Sequence, residues 1–198
     1  MIFHLLPAIE KIFFLIVLAI VFAKQLKTRA GKFFPALVLA VNLYFIMKGL
    51  VFSYLTYKLW SGNPISRFLI PPYKSLDYFS HYAFFHFFKS YWFSLVFFGT
   101  LFFLMKVANH FVKGRFFEEN EPWIAGTGIF LVGWPANLVW FLSVIILGVF
   151  GHLAKIIFFR RSAKELFSLY YLWLPVAFII ILFSKFVVGL PIIKTLIV

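Results

Sequence analysis

The chain has 198 residues, of which 64% are apolar and 13% charged, and its mean hydropathy is +0.99. A soluble domain of this size still leaves about a quarter to a third of its unfolded-chain surface in water, so this composition excludes an ordinary soluble enzyme and a disordered chain. There is no cysteine, which excludes a disulfide module, thiolate catalysis and Cys-ligated metal. The composition leaves a polytopic integral membrane protein, and its long apolar runs, in place of the roughly ten-residue alternation of barrel strands, predict an all-α one. Lys and Arg outnumber Asp and Glu by 19 to 6, a net charge of +13. These basic residues fall mainly in short connections and at helix ends. Their expected partners are therefore anionic lipid head groups, not nucleic acid.

A membrane-crossing helix needs about 20 mostly apolar residues. Five segments meet that length, and together they form a single transmembrane domain, 1–198. The first is 3–23. Glu10 and Lys11 interrupt it, and the clean run that follows is too short to cross alone, which places Glu10 within or near the bilayer. No basic stretch precedes it, so it reads as a retained helix and not a cleaved signal peptide. Lys24, Lys27, Arg29 and Lys32 follow. The second helix is 33–57, with Pro35 in its first turn, where proline is tolerated. Segment 58–80 carries Gly62-Asn63-Pro64 and Pro71-Pro72, which break a helix. Its aromatic and basic residues predict a stretch lying on the membrane surface.

The third helix is 81–110, ended by Gly114 and the acidic run from Glu118 to Glu121. Pro122 opens the fourth, 123–151, with carboxylates before its positive end. Gly133-Trp134-Pro135 sits inside it and predicts a kink or a split, with a re-entrant hairpin as the alternative. Lys155, Arg160, Arg161 and Lys164 precede the fifth helix, 166–190. With five crossings the two most basic loops fall on opposite faces. The positive-inside rule is then nearly balanced, with a slight lean toward a cytoplasmic N-terminus.

Polar groups inside a bilayer are the first candidates for function. At about 1.5 Å per residue, Glu10 lies roughly 10 Å from the N-terminal face, Lys48 roughly 14 Å and Lys89 roughly 12 Å. Glu10 and Lys48, on antiparallel neighbours, form the expected ion pair. Lys89 adds positive charge at the same depth. Asn42 and Asn137, the latter just after Pro135, are expected near mid-membrane, as at the broken helices of transporters. His86 and His152 project to the same face and are the candidate pair for a haem or a metal.

Catalytic motifs are missing. Gly126-Thr127-Gly128 is not a serine elbow, Asp77 is the only aspartate, and Glu118-Glu119 read as helix-start acids. The leading expectation is a non-catalytic subunit of a larger membrane complex, with other membrane subunits as partners. The first alternative is a small transporter or binding protein for an anion or anionic lipid. The second is a histidine-ligated redox protein. The sequence requires no cofactor.

Overall fold

A computed structural model describes residues 2–27, 33–112, 117–159 and 168–197. Arg29, Lys32, Gly114, Arg160, Arg161, Lys164 and the start of the expected fifth helix lie outside these. The described residues form helices and turns, without strands.

Helices α1 (Ile2–Lys27) and α2 (Phe33–Gly62) are long and apolar. They run antiparallel, since Phe14 packs on Tyr44 and Phe45 while Glu10 meets Lys48. A 3-10 turn, Ser66–Leu69, and a bend lead to α3 (Leu76–Ala83). The expected surface segment 58–80 is therefore partly helical at both ends, and α2 continues to Gly62. From α3 the chain passes through a π-turn, Phe84–Phe88, into α4 (Lys89–Phe111). This unit is antiparallel to α2. Tyr91 stacks on Phe45, Phe87 on Phe52, and Phe79 packs edge-on against Tyr57 and Trp60.

The expected fourth helix is two helices, α5 (Glu121–Val132) and α6 (Ala136–Phe159), and the chain reverses between them. Going along α4, Phe98 meets Phe130 and Trp123, and Phe102 meets Trp123, so α5 runs against α4. Phe93 meets Trp134 and Phe97 meets Phe141, so α6 runs with α4. At Gly128, a Cβ would land 2.6 Å from the Trp140 ring across the turn. Twelve residues apart in one straight helix would put these positions about 18 Å apart. The reversal needs Gly133, whose φ of 74° lies in the left-handed region that L side chains rarely adopt.

Helix α5 is the centre of the molecule. Its sides touch α2, α4, α6 and α7, and every residue from Glu121 to Leu131 is buried except the half-buried Trp123. A helix that is apolar all round must be covered all round. Its small residues permit this. A Cβ on Gly126 would run into the Phe98 ring.

The expected fifth helix is also broken. A 3-10 turn, Leu169–Tyr171, leads to α7 (Trp173–Leu182), α8 (Ser184–Gly189) and α9 (Pro191–Ile197). Helix α7 is antiparallel to α1. Gln25 reaches the Tyr170 carbonyl and Lys11 the Leu182 carbonyl, the latter at 2.8 Å.

Among the described residues, three stretches are long and apolar enough to cross a membrane: Phe33–Gly62, Leu76–Phe111 and Ala136–Ile157. Their outer faces expose large apolar side chains such as Leu39, Phe103 and Ile146. Helix α5, at 12 residues, is about 18 Å long and too short to cross.

Candidate functional site

A cavity of about 400 Å³ opens between α1, α2, the π-turn and the start of α4, at the α5–α6 turn. Its polar wall is Glu10, Lys48, His86, Ser90, Tyr91 and Ser94, and its apolar wall includes Phe45, Phe52 and Phe130. Each element places its share for a local reason. Helix α1 carries Glu10 two residues before its uninterrupted apolar run. On α2, Gly49 lets the Phe88 ring lie where a Cβ would be 2.5 Å away, which brings the π-turn against the helix. A π-turn spends one residue more than an α-turn, and both His86 and Phe87 within it line the cavity. Helix α5 stops at Gly133, so its C-terminal end reaches the cavity as well.

The expected Glu10–Lys48 pair forms, with Lys48 Nζ 2.5 Å from Glu10 Oε1. Tyr44 Oη donates to the same oxygen at 3.1 Å. The two side chains are 19% (Glu10) and 31% (Lys48) exposed. Lys89 does not join them. It shares a helix face with Phe93, four residues on, which stacks on Trp134, and it makes no ion pair among the described residues.

Asn42 and Asn137 do not meet each other either. Each is tied to α4, one turn apart. Tyr91 Oη donates to Asn42 Oδ1 at 3.0 Å, and Asn137 Nδ2 donates to Ser94 Oγ at 3.3 Å. Ser90 Oγ donates to the Trp134 carbonyl at 3.0 Å and so fastens the α5–α6 turn to α4.

The histidine pair is corrected by the reversal. His86 lies just before the level of the turn, and His152 lies 16 residues up α6 in the opposite direction, roughly 30 Å away along the bundle. No group of three or more metal-ligating side chains occurs among the described residues.

A second polar node was hidden in what read as helix-start acids. Glu121, 1% exposed, opens α5, outside the three stretches of spanning length. It accepts a hydrogen bond from Trp173 Nε1 at 2.8 Å and one from the Glu118 backbone N–H at 3.0 Å. Trp140 Nε1 in turn donates to the Trp173 carbonyl at 3.0 Å. The node joins α5, α6 and α7. Burial pushes the Glu121 carboxyl up to about 7, outweighing the two hydrogen bonds that lower it.

Comparison with known proteins found no matching protein family, no matching curated protein and no matching solved structure.

Proposed function

We propose that the chain is a multi-pass membrane protein that binds an amphipathic ligand in the cavity beside the α5–α6 turn, as a small transporter or a lipid-binding protein. The observation that carries this is the cavity itself. It combines an ion pair, three hydroxyls and a broken-helix end with an aromatic wall, in a bundle whose outer faces are apolar. Pockets of this size with a few convergent polar groups are the usual form of small-ligand sites, and helix breaks inside a membrane bundle persist where they line such sites. Helices α1, α2, α3–α4 and α6 insert in the bilayer, with α5 as a half-length element entering and returning on one side. Lys89 lies off this site.

Native mass spectrometry of the chain extracted from its own membrane tests the reading. The expected result is a retained amphiphile at one per chain, lost in Ser90→Trp, which fills the cavity from an exposed position, and kept in Lys89→Ala. A chain that carries only protein partners would sink the reading and restore the expectation of a complex subunit. That expectation draws on the missing catalytic motifs, the short loops and the aromatic surface, and such a surface suits lipid equally well.

A further inference from the structure

The hydrogen bonds already made inside the cavity define what is left over for a ligand. His86 Nδ1 lies 3.0 Å from the Tyr82 carbonyl. It therefore carries the proton in the neutral ring, and Nε2 is an acceptor. Ser90 and Tyr91 spend their protons on Trp134 and Asn42 and keep oxygen lone pairs. Glu10 uses Oε1 for both Lys48 and Tyr44. Its Oε2 has no hydrogen-bond partner among the described residues. On the donor side, Lys48 spends one of its three N–H groups on Glu10. Ser94 Oγ accepts from Asn137, so its own proton is free. The C-terminal end of α5 adds partial negative charge where Gly133 lines the cavity.

This inventory has a cation-accepting part (Glu10 Oε2, His86 Nε2, Ser90, Tyr91 and the α5 end) and a smaller anion-donating part (Lys48 and Ser94). We infer that the cavity takes the head group of a zwitterionic phospholipid bearing a primary ammonium. The ammonium N–H groups satisfy the spare acceptors and the phosphate is held by Lys48 and Ser94. The volume, about 400 Å³, accommodates a head group but not two acyl chains, which leave along the phenylalanine wall. The inference rests on the cavity reading above and adds the ligand's chemistry. It departs from a purely anionic ligand because Glu10 neutralises Lys48 and Lys89 stands outside.

The test is competition in nanodiscs or detergent, using the full chain and three probes with matched acyl chains: phosphatidylethanolamine, phosphatidylcholine and phosphatidylglycerol. Trimethylation removes every ammonium N–H, so phosphatidylethanolamine is expected to be retained about tenfold better than phosphatidylcholine, the scale of one charge-assisted hydrogen bond. Glu10→Gln is expected to erase that preference, and Lys48→Met to weaken both lipids together. Equal retention of the ethanolamine and choline lipids, both lost in Ser90→Trp, would overturn the head-group assignment and leave the cavity reading standing. Stronger retention of phosphatidylglycerol would overturn it in favour of an anionic ligand. Displacement by soluble glycerophosphoethanolamine would overturn the lipid as the source. Lipid binding that Ser90→Trp leaves unchanged would remove the cavity reading itself. The comparison among lipids uses the unaltered protein and does not depend on any variant folding.

Discussion

Glu121 titrates against its own burial. Its folded pKa of about 7 lies above the ordinary 4.5, so the fold accommodates the protonated carboxyl better than the carboxylate. The stability it contributes is therefore full below about pH 4.5, declines as pH rises toward about 7, and is flat above. The unfolding temperature of the purified chain in detergent is expected to fall between pH 5 and pH 7, and Glu121→Gln to flatten that slope. An unchanged slope in the variant would place the titrating group elsewhere. At this scale the sequence was legible where a residue was costly. Glu10 and Lys48 stand out because an unpaired charge in a bilayer is expensive and must find a partner. Ser90, Tyr91 and Ser94 did not stand out. A serine or threonine in a helix normally satisfies itself on the carbonyl four residues back, as Ser53, Thr100 and Ser143 do here. Only the neighbouring helices show that Ser90 reaches Trp134 instead.

At the scale of the element, the break at Gly133-Trp134-Pro135 was readable from proline and glycine alone. Its consequence was not. A kinked helix and a reversal share the same local signal, and the choice depends on whether the two arms can pack against each other. They can, because α5 presents Gly128 to the Trp140 ring of α6. The Trp140 ring is held by its bond to the Trp173 carbonyl and cannot easily yield. Gly128→Ala is therefore expected to destabilise the protein by about 1–3 kcal/mol, the usual cost of overpacking. Gly62, where a Cβ meets nothing within 4 Å, is expected to tolerate alanine with little change. Thermal unfolding of the two variants side by side checks this. Equal loss in both would mean that the close α5–α6 approach is not what holds the hairpin. The same reversal explains why the histidine pair failed. Depth along a chain read as one crossing acquires the opposite sign once the chain turns back.

For the whole molecule, the reversal settles which ends lie together. The end of α1, the start of α2, the end of α4, the start of α5, the end of α6 and the start of α7 all gather at one end of the bundle. Lys24, Lys27, Lys106 and Lys155 lie toward that end; the sequence between these helices, outside the described residues, contains Arg29, Lys32, Lys113, Arg115, Arg160, Arg161 and Lys164. The opposite end, around the α2–α3 connection and past the end of α7, carries Lys58, Arg67, Lys74 and Lys185. On the proposed membrane reading, the connections after α1 and after α6 now belong to one end, so the near-balance of the five-crossing reading tips, and the positive-inside rule predicts the basic end in the cytoplasm and the start of α1 outside, against the sequence-based lean. The chain contains no cysteine, so single cysteines report accessibility without background. Cysteines at Lys27 and Lys155 are expected to be shielded from an impermeant thiol reagent in intact cells, and one at Arg67 to be labelled. Labelling at Lys27 and Lys155 on opposite sides would contradict the hairpin.

Sequence by itself determined the helical architecture, the presence of stretches long and apolar enough to cross a membrane, the positions of the main breaks and the Glu10–Lys48 pair. These follow from local composition and from the high cost of unpaired charge in an apolar setting, both readable one segment at a time. Tertiary structure alone decided the direction of α6, the burial of α5 and Glu121, and the closing of the cavity wall by α4. Those outcomes depend on which faces fit together. In a chain apolar on nearly every side, packing between small residues and rings selects the faces, and hydrophobic patterning does not distinguish them.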